Sequence, residues 1–290
     1  MSDIRPIWID LTPDEHEFQY NPQKAFPDFS ASRTTRDPAN TAALENLPQH
    51  RDVAFGPHPL HTLDIYPANV SGPAPVHVFY HGGYWRAQDK QNFAYIAGML
   101  TEQGITTVIA NYELCPDSSL DEVAESALNG LEWVHRHIGE YGGDANNITI
   151  SGHSAGAHLV AEALAADWVK RDIDPAFIRG AVAISGIYDP TPAQKTSVNE
   201  QLKLTADTIA RRNVERRPVQ VKAAVTLFVG GQEPWHWIDQ TYRYAHHLHR
   251  NGIIAEVHTL PDFGHFDIVN LLLDANSPLG RAITKQSCAK

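Results

Sequence analysis

Apolar and polar positions follow two rhythms along this chain. Short runs rich in apolar and β-branched residues predict strands near 51–55, 61–66, 75–80, 105–111, 147–152, 180–185, 223–229 and 254–260. The later runs are almost continuously apolar, as strands are when a parallel sheet is covered on both faces. Between them, apolar residues recur at three- and four-residue steps. The clearest set is Leu120, Val123, Ala127, Leu131, Val134 and Ile138, which predicts a helix behind a Ser118-Ser119 cap and ahead of a Gly142-Gly143 stop. Strands alternating with helices imply an α/β architecture, a mostly parallel eight-stranded sheet with helices on both faces.

Two stretches break the alternation. Residues 1–50 are rich in Pro, Asp and aromatic side chains (Tyr20, Phe26, Phe29) without a sustained period, which predicts an arm laid over the domain. Residues 187–218, with Pro190, Pro192 and Pro218, exceed an ordinary connection between strands and fall at the end of the sheet where ligands bind. They are the candidate cap, with the arm as its partner. No internal repeat or low-complexity tract is present, and 290 residues fit one domain spanning 1–290.

Charge and composition narrow the function classes. Asp+Glu 34 against Lys+Arg 23 gives a net charge of -11, which repels phosphate backbones and anionic lipid surfaces. Nucleic acid and membrane are therefore not expected partners; a small-molecule substrate is, and a homodimer is compatible with the sequence. Met1-Ser2-Asp3-Ile4-Arg5-Pro6 has neither the basic segment nor the apolar core of a signal peptide, and no apolar run is long enough to cross a bilayer. A cytoplasmic protein is expected. Cys115 and Cys288 are too few for a disulfide framework and read as free thiols.

The chemistry begins where the apolar run Ile148-Thr149-Ile150 meets Gly152-His153-Ser154-Ala155-Gly156-Ala157-His158 and then a helical stretch carrying Leu159, Val160, Ala163, Leu164 and Ala165. A serine hydroxyl is a weak nucleophile unless a base reaches it and donors surround the developing oxyanion, and a sharp strand-to-helix turn meets that need by lifting the side chain out of the fold. Glycines two residues to either side of Ser154 remove Cβ atoms that would collide in so tight a turn. A second motif, His81-Gly82-Gly83-Tyr84-Trp85, ends the strand Pro75-Val76-His77-Val78-Phe79-Tyr80. Its paired glycines let backbone N–H groups approach a ligand oxygen, so Gly83, Tyr84 and Ala155 are the expected oxyanion donors. His81 is expected to anchor that loop through its ring.

The base should follow the last strand, and Pro261-Asp262-Phe263-Gly264-His265-Phe266 supplies His265 there. The acid should follow the preceding strand, Ala223–Val229, where Gly230-Gly231-Gln232-Glu233-Pro234 supplies Glu233. Asp239 is its main rival and Asp262 the third choice. Trp85, His153, Tyr188 and Trp235 are the expected substrate contacts, with Tyr84 and Trp237 also near the mouth, while His158 is expected beneath the turn. His246, His247 and His249 read as a polar helix face, so no metal is expected. Without a G-x-G-x-x-G string, no dinucleotide cofactor is expected either.

These motifs, together with Gly142-Gly143-Asp144, Ser185-Gly186-Ile187-Tyr188-Asp189 and Tyr20-Asn21-Pro22, resemble the α/β-hydrolase superfamily. More narrowly they resemble the arylformamidase (kynurenine formamidase) group of its hormone-sensitive-lipase-like branch, in which Tyr84 stands where lipase-type relatives carry a third glycine. The resemblance covers nearly the whole chain. It departs at Glu233, where such relatives more often have Asp. It implies an α/β-hydrolase fold and a serine hydrolase that cleaves an N-formyl arylamine such as N-formylkynurenine through an acyl-serine. A carboxylesterase for small acyl or aryl esters would use the same triad; a non-catalytic binding protein on the same fold is the alternative of another class, against which the intact Ser154 and His265 argue.

Overall fold

The computed structural model describes residues 7–289, so the first six residues, on which the signal-peptide expectation rests, lie outside the described residues. Its strands are β1 (His50–Ala54), β2 (Thr62–Tyr66), β3 (Ala74–Tyr80), β4 (Thr106–Ala110), β5 (Gly143–His153), β6 (Ile178–Ile184), β7 (Ala224–Gly230) and β8 (Glu256–Leu260). Each lies where the apolar runs predict one. They form one eight-stranded sheet in the order β1-β2-β4-β3-β5-β6-β7-β8. β2 pairs antiparallel with β1 and with β4, and every other pairing is parallel.

The helices among the described residues are α1 (Pro13–Tyr20), α2 (Pro22–Ala25), α3 (Ala31–Asn46), α4 (Tyr95–Thr101), α5 (Leu120–His137), α6 (Ala155–Ala165), α7 (Asn199–Leu202), α8 (Ala206–Arg212), α9 (Trp235–Arg250) and α10 (Pro278–Ser287), with short 3₁₀ turns between them. Alternation along the strands sends side chains to two separate cores. Val76, Val78 and Tyr80 of β3 pack with residues of α5, α6 and α9 on one face. Phe79 joins Phe93, Ile96, Ile268 and Ile283 on the other, under α4 and α10. The period of α5 is met as expected: Leu120, Val123, Ala127, Leu131 and Val134 are buried. Its first turn is closed by a reciprocal cap, in which Ser119 Oγ accepts the Glu122 N–H and Glu122 accepts the Ser119 N–H.

The arm is more ordered than its sequence suggests. It is helical over α1, α2 and α3, and it ties the segment 187–218 to the body. His16 Nε2 donates to the Pro192 carbonyl at 2.8 Å, and the Glu17 carboxylate accepts both the N–H and the hydroxyl of Ser197. Tyr84 Oη in turn donates to the Tyr20 carbonyl at 2.8 Å, joining the arm to the loop after β3. No helix among the described residues is long and apolar enough to cross a membrane.

Candidate active site

β5 runs through the middle of the sheet and delivers Ser154 at the turn into α6. The Ser154 backbone sits at φ 57° and ψ -117°, a region that non-glycine residues rarely occupy. Two things hold it there. The Ser154 N–H donates to the Ile184 carbonyl at 2.8 Å, and Gly156 lies so close to β3 that a Cβ would stand 2.1 Å from the Tyr80 carbonyl oxygen.

The structure brings three separated side chains into one relay. His265 Nε2 lies 3.0 Å from Ser154 Oγ, and His265 Nδ1 lies 2.7 Å from Glu233 Oε2. A carboxylate accepts only, so Nδ1 carries the proton and Nε2 is left bare to accept from the serine hydroxyl. All three residues are buried. Glu233 is itself fixed: its Oε1 accepts the Gly230 N–H at 2.8 Å and the Ser185 hydroxyl. Asp239 points elsewhere, accepting from Arg243 Nε at 2.7 Å, and Asp262 is exposed.

Around Ser154 the backbone N–H groups of Gly83, Tyr84 and Ala155 donate to no acceptor among the described residues. Tyr84 and Trp85 have φ of 54° and 56°, so the loop after β3 is coiled back on itself. Gly83 at φ 119° is required there, because a Cβ would stand 2.1 Å from the Ala87 carbonyl oxygen. His81 anchors the loop from beneath: its Nδ1–H donates to the Gly82 carbonyl at 2.7 Å, its ring stacks on Tyr112, and Tyr112 Oη donates to its carbonyl at 2.6 Å.

Ser154 and His265 open onto a cavity of about 210 Å³ lined by Phe29, Arg33, Arg36, Gly83, Tyr84, Phe93, His153 and Phe266, among others. Of the expected substrate contacts, His153 is in this wall. Burial, reinforced by the neighbouring His265, holds its ring well below the usual histidine range, so it is neutral; its Nε2–H donates to the His265 carbonyl at 2.8 Å. The other three expectations are corrected. Trp85 is fully buried edge-on against His158, Tyr188 is buried and stacked on Tyr244 at 4.1 Å, and Trp235 is 71% exposed on the outer face of α9. None of them lines the cavity. Trp237 packs edge-on beneath His265 and donates from Nε1 to the Ser185 carbonyl. The segment 187–218 does not line the cavity either; α2, α3 and the turn between them supply its outer wall.

His158 lies under the turn as expected, its Nε2–H donating to the Arg212 carbonyl at 2.8 Å. His58, His61 and Glu113 are the one trio among the described residues with metal-ligand side chains grouped, but His61 Nε2 and Glu113 Oε1 already pair at 2.7 Å. Both cysteines are free; burial pushes the Cys115 thiol up to about 11. What the sequence left unmarked is the aromatic and cationic wall. Phe266 follows the base directly, but Phe29, Arg33 and Arg36 lie in a segment without periodicity and reach the site only because the arm folds over it.

The chain is similar to known proteins over nearly its whole length. The chain is 30% identical to a kynurenine formamidase of Danio rerio over 96% of this chain and 97% of that one. It is 28% identical to one of Salmo salar over the same shares. Among solved structures, a candidate thioesterase from Silicibacter sp. TM1040 superposes with a TM-score of 0.76 at 28% identity, covering 95% of this chain and 99% of that one. Esterase B from Lactobacillus rhamnosis gives 0.67 at 14% identity over 89% and 91%, a likeness of fold alone. A family model for the alpha/beta hydrolase fold matches residues 77–267, which hold Ser154, Glu233 and His265, and the chain belongs to that family.

Proposed function

We propose that this protein is a serine hydrolase that removes the formyl group from an N-formyl arylamine, with N-formylkynurenine as the substrate. The observation that carries the reading is the Ser154–His265–Glu233 relay, with links of 3.0 and 2.7 Å, at the floor of a cavity walled by Phe29, Phe93 and Phe266. Near full-length similarity to kynurenine formamidases supports the choice of bond.

The residues perform the reaction in two halves. Ser154 Oγ attacks the formyl carbon while its proton passes to His265 Nε2, and Glu233 stabilises the imidazolium through Nδ1–H. The carbonyl oxygen gains charge and is received by the N–H groups of Gly83, Tyr84 and Ala155, each such donor contributing about 3 kcal/mol in comparable sites. Collapse breaks the C–N bond, and the proton on His265 goes to the departing amine. Water then enters, gives a proton to His265 and attacks the formyl-serine; collapse breaks the bond between the formyl carbon and Ser154 Oγ, His265 returns the proton to Oγ, and formate leaves. The formyl carbon carries only hydrogen, so a small cavity beside Ser154 suffices, and the phenylalanines meet the aryl ring.

Paired assays test the reading. Purified enzyme should release formate and free amine from N-formylkynurenine with a higher kcat/KM than it shows on short p-nitrophenyl esters. Turnover of the esters with the formamide left intact would make it a carboxylesterase instead, and failure to turn over either, or to label Ser154 with an organophosphonate, would favour a binding protein.

A further inference from the structure

The charge of the cavity runs against that of the chain. Acidic residues outnumber basic ones 34 to 23 overall, yet the wall carries Arg33, Arg36 and Arg86 and no Asp or Glu. Arg86 is half-buried at the rim, its Nη1 and Nη2 donating to Gln201 and Gln23 while its Nε is buried without a partner among the described residues. Arg36 is different, being 7% exposed and on the inner side of α3. Its Nη1 donates to Asn270 Oδ1 at 3.1 Å and, weakly, to the Phe266 carbonyl at 3.5 Å. Its Nη2 and Nε donate to nothing among the described residues, and no carboxylate there lies within ion-pairing distance of it. The rings of Phe93 and Tyr95, 5.8 and 6.0 Å from its Cζ, supply part of the lost solvation. Burial above all, with Arg33 one turn away and against the weaker pull of Tyr95 and Asp37, holds its pKa below the ordinary value. A buried guanidinium without a counter-ion, with two donor nitrogens unfilled, is costly unless an anion arrives with the ligand.

We infer that Arg36, with Arg33 beside it, is the anchor for a carboxylate on the substrate, so that the enzyme selects acyl compounds bearing an anionic group at the end remote from the scissile bond. This deepens the hydrolase reading above and rests on it for the position of the scissile bond. A planar guanidinium offers two parallel donors to a carboxylate and so fixes the direction in which the substrate lies as well as its charge. With the carboxylate at α3 and the reacting carbon at Ser154, the aryl ring falls among Phe29, Phe93 and Phe266.

The test compares N-formylkynurenine with its neutral carboxamide as substrates of wild type, Arg36→Gln, Arg36→Lys and Arg33→Gln. Wild type should favour the carboxylate by about tenfold to a hundredfold in kcat/KM, chiefly through KM. In Arg36→Gln that ratio should fall to about one; Arg36→Lys should keep part of it, and Arg33→Gln should lower it less. A wild-type ratio near one overturns the inference, and so does an Arg36→Gln enzyme that slows on both substrates with the ratio intact, since that is the mark of a merely structural Arg36. If neither formamide is turned over, the choice of bond fails, and the anchor is judged separately by inhibition of p-nitrophenyl acetate hydrolysis in the wild type. There, 4-phenylbutyrate should bind more tightly than 4-phenylbutyramide, and equal inhibition overturns the anchor.

Discussion

Glu233 accepts from three donors at once, the His265 ring, the Gly230 N–H and the Ser185 hydroxyl. Its orientation is therefore fixed before any substrate binds. Glu233→Gln keeps the shape but presents a neutral amide to an imidazole that must become positive, so kcat should drop roughly 10³- to 10⁴-fold with little change in thermal midpoint. Near-normal turnover would move the acid role to Asp239. Ser185→Ala removes one of the two donors to Glu233 Oε1 and leaves the Gly230 N–H in place, so it should cost only about tenfold, measured on the same substrate. The relay was legible in the sequence because each member has a fixed address: after a strand, in a turn, in a set order along the chain. The cavity wall has no such address. Trp85, Tyr188 and Trp235 are aromatic and close in sequence to the motifs, and that proximity says nothing of where their rings point. Their burial against His158 and Tyr244, or exposure on α9, was decided by packing that only the assembled fold defines.

At the scale of elements, the loop after β3 depends on a buried ion pair that no motif marks. Lys90 is 1% exposed, with Nζ 2.8 Å from Asp64 Oδ1 on β2 and 2.6 Å from Asp52 Oδ1, while its N–H donates to Asn111 Oδ1. Lys90→Met removes the buried cation from Asp64, which then keeps only the Asp52 N–H, 2.8 Å from Oδ1, and Arg51 at 3.9 Å. It should lower stability by about 3–5 kcal/mol in a denaturant titration. A loss below about 1 kcal/mol would show that solvent or Arg51 replaces the lysine. The strands of the sheet were readable from apolar, β-branched runs, and α5 from its period and its cap. The arm helices were not. α3 buries only Arg36 and Ala43 of its sixteen residues and contains Pro38, so it has no apolar stripe for a periodicity argument to find. It is helical because of what it covers, not because of its own pattern.

Across the whole molecule, residues 187–218 join α9 through a crowded set of charges in place of roofing the active site. Arg243 faces three carboxylates, Asp189 and Glu215 from that segment and Asp239 from its own helix. Burial in this cluster, with Asp189 and Asp239 adding to it against the pull of Arg243, pushes the Glu215 carboxyl up to about 8. Its folded pKa is thus above its unfolded one near 4.3, so the folded state holds a proton that the unfolded chain gives up. That contribution is complete at acid pH, shrinks as pH rises and is gone above about 8. The thermal midpoint should therefore carry a falling contribution between about pH 5 and pH 8, and Glu215→Gln should remove it; an identical pH dependence in the variant would contradict the assignment. Function, in contrast, turns on a single oxygen. The most direct measurement is formate release from N-formylkynurenine by wild type and by Ser154→Ala at equal enzyme concentration. The account predicts turnover that drops by several orders of magnitude in the variant while its thermal midpoint stays close to wild type. Equal release by the two proteins, or none by either, would contradict it.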